Sequence, residues 1–238
     1  MLYLLPNLIT EGNARAILSP EVVDAASELT GLFAESERAA RRYLALTKKE
    51  LEVVLISEES TQSEIQKLLR ELPKDQKWGI VSDAGLPCIA DPGSALVLAA
   101  RAIGIQVRAF AGPCSFIIAL QLSGLPGQKF AFHGYLERDE MASIQMVKKL
   151  EVESRERGTT QLFMEPPHAN IRGLKRAIDA LSDTTILSLA VDVTGPSELV
   201  ITRTVAQWKK QPLPDLKKLP AILLFAVPST DKKDRQHR

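Results

Sequence analysis

Short apolar stretches alternate with helix-type patterns through residues 1–124, and this alternation restricts the possible fold more than any other feature of the chain. Strand-like stretches occupy residues 1–5, 31–35, 77–83 and 105–111, with helix-type patterns between them. Strands that alternate with helices form parallel sheets with right-handed crossovers. The first half of the sequence therefore predicts a parallel α/β arrangement.

Residues that start helices and residues that share one helix face support this prediction. Ser19 suits an N-cap, and Pro20 suits the first position of a helix. Ala39, Tyr43 and Leu46 fall on one face of a second predicted helix. A third amphipathic helix is predicted around its apolar residues Ile65, Leu68, Leu69 and Leu72. Two more helices are predicted at residues 92–103 and 114–123, each followed by a glycine.

The pattern changes after residue 125. Strands are predicted within residues 129–136, 159–165, 185–193, 197–208 and 219–227, and helices within residues 141–158 and 170–182. The sequence therefore predicts two α/β domains, residues 1–113 and residues 114–238.

Composition excludes several classes of function. Lys plus Arg number 30 and Asp plus Glu 29, which argues against a strongly electrostatic nucleic-acid-binding protein. No apolar run is long enough for a membrane span, and the N-terminus lacks the basic start of a signal peptide, so we expect a cytoplasmic protein. Cys88 and Cys114 belong to no paired motif and the three histidines are scattered, so we expect buried, reduced thiols and no metal site.

The segment Ser82–Gly93, hereafter the elbow, joins a predicted buried strand to a helix. Ligands in open α/β sheets bind beyond the carboxyl ends of the strands, where Asp83 is expected. Asp91 and Pro92 suit the N-cap and first position of the next helix, whose free N–H groups could bind an anionic group. The same residues would also make a tight strand-to-helix connection, and composition alone leaves both interpretations open.

A second turn of small residues favours a binding cleft. The stretch GPCS, residues 112–115, follows the next predicted strand, so two strand ends would carry small, polar turns. The sequence contains neither a G-x-G-x-x-G dinucleotide motif nor a phosphate-binding loop with G-x-x-x-x-G-K-[ST]. The usual dinucleotide and ATP interpretations are therefore disfavoured.

Three segments together resemble a known family. SDAGLPCIADPG at residues 82–93, AGPCSFIIALQLSGLPGQKFAFHGYL at 111–136 and QLFMEPPH at 161–168 are similar to the tetrapyrrole-methylase-like, class III methyltransferases that use S-adenosylmethionine. Within them the chain most resembles the 16S rRNA ribose 2'-O-methyltransferases, whose S-D-A-G-x-P-x-x-x-D-P-G motif the elbow matches at every fixed position. The resemblance implies two α/β domains with the methyl donor in the cleft between them, and a homodimer.

The resemblance also implies which residues bind S-adenosylmethionine. Ser82 or Asp83 would accept hydrogen bonds from its ammonium or ribose hydroxyls, and N–H groups of the 112–116 turn would donate to its carboxylate. The remaining donor-binding residues line the site or shape its backbone: Gly85, Leu86, Pro87, Gly112, Ser115, Phe116, Met164, Pro220 and Ala221.

Two further segments are candidates for the acceptor side. ESERAARR resembles the family's E-D-T-R segment, with Ser36 and Glu37 at its centre, and MEPPH resembles E-S-P-H-R. A ribose hydroxyl is a weak nucleophile, so a base would help, and the candidates are Glu35, Glu165 and His168. Three arginines are candidates for substrate binding: Arg38, Arg41 and Arg42. A solvated helix with charge pairs, or a His168 that caps the following helix, remains the alternative. His133 is expected to be half-buried on a strand.

These observations predict a methyltransferase that uses S-adenosylmethionine and acts on a ribose 2'-hydroxyl of rRNA in the small ribosomal subunit. One alternative acceptor is a tetrapyrrole precursor or another small molecule. A module that binds S-adenosylmethionine without catalysis is a third possibility, because the first loop departs from the family's T-P-I-G-N motif. It reads LLPNLITEGN and retains Pro6 and the pair Gly12-Asn13.

Overall fold

The computed structural model describes residues 1–12, 17–47, 49–72 and 75–228, so Asn13 of the first loop lies outside the described residues. The chain divides into two compact units, here called the first domain, Met1–Cys114, and the second domain, which begins at Ser115. Within the described residues, no helix combines the length and the apolar character that crossing a membrane requires.

The first domain contains a five-stranded parallel sheet in the order β3-β2-β4-β1-β5. Its elements are β1 (Leu2–Leu4), α1 (Pro20–Ser27), β2 (Gly31–Ala34), α2 (Glu37–Thr47), β3 (Glu52–Leu55), α3 (Gln62–Glu71), β4 (Trp78–Val81), α4 (Ser94–Ala102) and β5 (Val107–Ala109). Because all four pairings are parallel, the carboxyl ends of the strands meet at one edge of the sheet. That edge carries the elbow.

Both faces of this sheet are covered, as a parallel sheet requires. Successive residues of a strand point to opposite faces, so Leu2 joins one buried cluster and Tyr3 joins the other. In β2, Leu32 and Phe33 alternate in the same way. The predicted apolar helix faces pack here, since Ala39, Tyr43 and Leu46 are all buried.

Strand β3 was not predicted. It pairs only with β2 among the described strands and forms an edge, where Val53 and Leu55 are exposed. An exposed edge strand needs no regular alternation of buried and solvated residues, which is the signal that identifies half-buried strands in a sequence. The sequence of β3 therefore carried little information about its structure.

The second domain contains a mixed sheet in the order β6-β7-β10-β8-β9, in which β6 and β7 are parallel and the other three pairings are antiparallel. Its elements are α5 (Ser115–Ser123), β6 (Phe130–Tyr135), α6 (Glu140–Arg157), β7 (Thr160–Glu165), α7 (Asn170–Ala180), β8 (Ile186–Val191), β9 (Leu199–Thr204), α8 (Val205–Lys209) and β10 (Ala221–Ala226). The short helix α8 was not predicted; a capping box between Thr204 and Gln207 starts it.

The second sheet also packs on both faces. One buried cluster combines β7, β8 and β10 with α6 and α7, and it includes Phe163, Leu174 and Trp208. The other lies on the opposite face with α5 and includes Ala119, Leu162 and Leu224. The two faces of β7 therefore have different neighbours, so successive residues of this strand contact different helices.

Candidate active site

The elbow lies at the carboxyl end of β4, in an unusual backbone conformation. Gly85, Cys88, Ala90 and Gly93 all have positive φ angles, of 71°, 68°, 62° and 124°. Positive φ is costly for residues other than glycine, and such strain is concentrated at functional sites. The strained elbow is therefore held in place by its surroundings.

Asn7 fixes the elbow from the loop that follows β1. Its side chain is fully buried, and its Nδ2 donates to the carbonyl of Ser82 at 2.7 Å. Its backbone N–H donates to the carbonyl of Gly85, also at 2.7 Å. Its Oδ1 accepts from the N–H of Leu8 and from Nη1 of Arg42, both at 2.9 Å. Sequence reasoning missed Asn7, although an amide directly after a buried strand and a proline was a usable signal.

Asp83 is surrounded by residues from the loop after β2 and the start of α2. Its Oδ1 accepts a hydrogen bond from Ser36, and its Oδ2 lies 3.7 Å from a guanidinium nitrogen of Arg38. Its backbone N–H donates to Oε2 of Glu35 at 2.9 Å. The structure therefore brings Glu35 and Arg38 from the predicted acceptor segment together with Asp83 of the elbow.

The other two predicted arginines have different neighbours. Arg41 is exposed and pairs with Glu37 one helical turn away, at 3.2 Å. Arg42 is half-buried and donates to Asn7, so it supports the loop after β1. Ser36, which stands inside the segment that resembles E-D-T-R, bonds to Asp83 through its hydroxyl.

The predicted start of helix α4 was wrong. Its N-cap is Gly93, which makes no side-chain capping bond, and the helix begins at Ser94 rather than at Pro92. Burial raises the pKa of Asp91 to about 6, and the carboxylates of Glu35, Asp83 and Glu58 contribute to the rise. Negative charge is disfavoured among these acids, so the N-terminus of α4 is a poor site for the anionic group expected there.

Close backbone packing joins the loops after β1, β4 and β5. A Cβ atom on Gly112 would lie 2.0 Å from Cβ of Pro6 and 3.3 Å from Cδ2 of Leu86. A Cβ atom on Gly85 would lie 3.4 Å from the carbonyl oxygen of Pro113, and Pro87 is buried. Only glycine fits at position 112, so these strand ends form one continuous surface around the elbow.

In the second domain, the predicted donor-binding side chains Phe116 and Met164 pack against the same apolar cluster. The ring of Phe116 stacks on Phe132, with centroids 4.3 Å apart and planes 9° apart. Ser115 is the first residue of α5 and is half-buried. Pro220 is exposed and its carbonyl accepts from the N–H of Asp192 at 3.1 Å, while Ala221 is buried.

Glu165 lies on the opposite face of the second sheet from Met164. Met164 packs with the α5 cluster, whereas Glu165 contacts α7, where a Cβ on Gly173 would come within 2.4 Å of its carboxyl group. Ala221 pairs with Glu165 across β7 and β10. Glu165 is only 5% exposed, and burial raises its pKa to about 7 although Arg176 and Arg172 oppose the shift.

A cavity of about 620 Å³, here called the β7 cavity, opens beside Glu165. His168, Arg172 and Arg176 line it, together with Tyr135 at the end of β6. The N-cap of α7 is Ala169, without a side-chain bond, so the alternative in which His168 caps this helix was wrong. His133 is half-buried as predicted, and its Nε2 lies 2.6 Å from Oε1 of Gln161.

Both cysteines are thiols, and both are half-buried rather than buried as expected. Cys88 belongs to the elbow, and its sulfur occupies the space that a side chain at position 93 would need, since a Cβ atom on Gly93 would lie 2.8 Å from Sγ. Burial raises the pKa of the Cys88 thiol to about 11, and Asp91 adds to the effect. Cys88 therefore stays protonated near neutral pH and fills space in the elbow.

A family model described as Tetrapyrrole (Corrin/Porphyrin) Methylases matches residues 5–208 of this sequence. The chain belongs to the tetrapyrrole methylase family. Its strand ends and elbow are thus those of a tetrapyrrole methylase. This finding confirms the predicted family, the two-sheet α/β fold and the predicted class of enzyme, an S-adenosylmethionine-dependent methyltransferase.

Curated relatives carry the name Ribosomal RNA small subunit methyltransferase I. The protein from Xylella fastidiosa is 31% identical over 194 residues, which cover 82% of this chain and 70% of that protein. The protein from Escherichia coli O157:H7 is 31% identical over 159 residues, 66% of this chain and 54% of its own length. The protein from Bacillus subtilis is 29% identical over 208 residues, 87% of this chain and 64% of its own. The chain therefore spans between 54% and 70% of the length of these relatives.

Solved structures share the fold at low sequence identity. The methyltransferase CobJ matches with a TM-score of 0.62 and 15% identity, covering 95% of this chain and 99% of that chain. Diphthine synthase matches with a TM-score of 0.64 and 16% identity, covering 94% and 89%. These neighbours establish the tetrapyrrole methylase fold and leave the acceptor to other evidence.

Proposed function

We propose that this chain transfers a methyl group from S-adenosylmethionine to a ribose 2'-hydroxyl of rRNA in the small ribosomal subunit. The observation that carries the proposal is the elbow: the sequence that resembles the rRNA enzymes lies at the carboxyl edge of a parallel sheet, in a strained conformation held by a buried asparagine. The curated relatives at about 30% identity, which bear an rRNA methyltransferase name, support the same acceptor.

The alternative acceptor, a tetrapyrrole precursor, has weaker support. Uroporphyrin-III-C-methyltransferase from Thermus thermophilus shares the fold with a TM-score of 0.54, but only 20% of its residues are identical. Likeness at that level follows from the fold, and one fold serves many acceptors. The third possibility, donor binding without catalysis, is addressed by the transfer assay below.

The residues at the elbow suit S-adenosylmethionine, which supplies an activated methyl group on a sulfonium. The side chain of Asp83 is 37% exposed, and it can accept hydrogen bonds from an ammonium or a ribose hydroxyl. Leu86 is half-buried and packs beside Gly112, where it offers apolar surface of the kind that an adenine ring packs against. Gly85 and Gly112 let the loops after β1, β4 and β5 pack closely around this site.

Of the three candidate bases, Glu165 has the environment that proton transfer needs. A general base works best when its pKa lies near the working pH, and burial raises the pKa of Glu165 to about 7. Its carboxylate would take the proton of the ribose hydroxyl, whose oxygen would receive the methyl group as the carbon–sulfur bond of the sulfonium breaks and leaves a neutral thioether. Glu35 is instead bonded to the N–H of Asp83 and would hold the elbow, and His168 lines the β7 cavity.

Substitution of Asp83 tests donor binding. Asp83→Ala should weaken binding of S-adenosylmethionine by about 1–3 kcal/mol in titration calorimetry, because a charge-assisted hydrogen bond is lost. Asp24→Ala, on the exposed face of α1, is the matched control and should leave affinity unchanged. A thermal melt of each variant separates lost binding from lost folding. Unchanged affinity in a folded Asp83→Ala variant would give Asp83 a purely structural role.

The acceptor is tested by transfer of tritium from labelled donor to RNA, and by mass spectrometry of rRNA nucleosides from cells with and without the protein. Label in small-subunit rRNA and a missing 2'-O-methyl nucleoside are expected. Label only in a porphyrin precursor would establish the tetrapyrrole alternative, and tight donor binding without any transfer would establish the non-catalytic one. The predicted position of the donor between the domains, the homodimer and the cytoplasmic location stay predictions.

A further inference from the structure

The β7 cavity is lined by a buried acid, two arginines and a histidine. Glu165 is 5% exposed, and His168, Arg172 and Arg176 come from α7 and the turn before it. At about 620 Å³, the cavity is within the range of small-molecule sites. It lies on the face of the second sheet that carries α7, whereas the donor-binding candidates Phe116 and Met164 pack on the other face.

The arginines of the cavity have separate tasks. The two terminal nitrogens of Arg176 donate to the carbonyls of Glu137 and Arg138, each at 3.2 Å, so Arg176 fixes the segment after β6 as one wall. Arg172 lies on the same helix, one turn nearer its start, and its charge acts on Glu165 strongly enough to oppose the rise of that carboxyl's pKa. Arg172 is exposed and lines the cavity, so it can receive an incoming anion while Arg176 keeps the wall in place.

We propose that the β7 cavity binds one nucleotide of the RNA acceptor, with its phosphate on Arg172 and His168 and its ribose toward Glu165. This inference rests on the proposed function, since it gives the acceptor's position relative to the base. Arg binds phosphate through a planar fork of donors, and phosphate contacts position a nucleic acid without reading its sequence. Tyr135, 58% exposed at the end of β6, offers a ring on which the base can stack.

The buried acid decides between a nucleotide and a tetrapyrrole. A tetrapyrrole precursor carries several carboxylates, and one of them near Glu165 would add a second negative charge in a buried place. A nucleotide places its single charged group at the arginines and a neutral hydroxyl at the carboxyl group. Of the two acids that line the cavity, Glu137 is exposed and only Glu165 is buried, so a buried acid with the exposed cation Arg172 fits a nucleotide.

The test uses the whole chain with uridine 5'-monophosphate as the probe, a ribonucleotide whose base differs from the adenine of the methyl donor, titrated by saturation-transfer NMR. Arg172→Ala should weaken binding of this probe about tenfold, and His168→Gln severalfold. Lys175→Ala is the matched control, because Lys175 is an exposed cation on the same helix that does not line the cavity, and it should change affinity less than twofold. Affinity for S-adenosylmethionine, measured by calorimetry, should be the same in all four proteins.

A second readout connects the cavity to the reaction. Arg172→Ala should raise the KM for small-subunit rRNA about tenfold with a smaller change in kcat, and Lys175→Ala should leave both unchanged. Equal loss of probe affinity in the Arg172 and Lys175 variants would overturn the inference, and so would binding of uroporphyrin in place of the nucleotide. If the nucleotide binds through Arg172 but the wild-type chain methylates no RNA, the proposed function fails and the binding site remains.

Discussion

Asn7 gives the sharpest test of how the elbow is held. In the Asn7→Ala variant, the carbonyl of Ser82 loses a donor, and the N–H of Leu8 and the guanidinium of Arg42 lose an acceptor. A neutral hydrogen bond contributes about 0.5–1.5 kcal/mol to stability, and one to a charged group about 1.5–3 kcal/mol. Arg42 is only half-buried, so water can replace its lost partner. We therefore expect the free energy of unfolding to fall by about 2–4 kcal/mol in total.

Urea unfolding of the variant and the wild type measures this loss, with the slope m compared to check that the same surface is exposed. Arg42→Ala removes only the charged bond and should cost about 1 kcal/mol. The double variant Asn7→Ala/Arg42→Ala should be less destabilised than the sum of the two, because the two side chains share one hydrogen bond.

Arg41→Ala is the matched control on the same helix. Arg41 is exposed and pairs with Glu37 across one helical turn, so its loss should change stability by less than about 0.5 kcal/mol. The reasoning is refuted if Asn7→Ala unfolds within about 0.5 kcal/mol of the wild type. Such a result would mean that the elbow keeps its conformation without the bond to Ser82.

Three further predictions concern close packing and buried charge. Gly112→Ala should cost about 1–3 kcal/mol and weaken donor binding, whereas Gly127→Ala, whose Cβ would meet only ordinary contact, should change stability little in the same melts. Between about pH 4.5 and 7 the folded chain keeps a proton on Glu165 that the unfolded chain has released. The free energy of unfolding should therefore fall by roughly 2–3 kcal/mol as pH rises through this window. Glu165→Gln should abolish this part of the dependence of stability on pH. Glu151→Ala removes a buried acceptor of three hydrogen bonds and should lower the free energy of unfolding, measured in urea, by about 2–4 kcal/mol. Glu156 is exposed on the same helix, so the control Glu156→Ala should leave that free energy unchanged.

The strand and helix pattern of the first domain was predictable because burial on both sheet faces demands continuous apolar runs in the strands and regularly spaced apolar residues in the helices. Ser19 caps α1 as predicted, its Oγ accepting from the N–H of Val22. The errors arose where that demand is absent: β3 is an exposed edge, α8 is a single short helix, and α4 begins two residues late. The last error has a physical cause, since Gly93 adopts a φ of 124° that a helix cannot contain.

The candidate site shows a different limit of sequence reasoning. A motif gives the identity of residues but not the face from which each side chain emerges. Met164 and Glu165 are neighbours in the sequence, and the pleat of β7 sends one toward α5 and the other toward α7. Once β7 was identified as a strand, the sequence showed that Met164 and Glu165 lie on opposite faces of the sheet. Only the structure showed that α5 packs on one of these faces and α7 on the other.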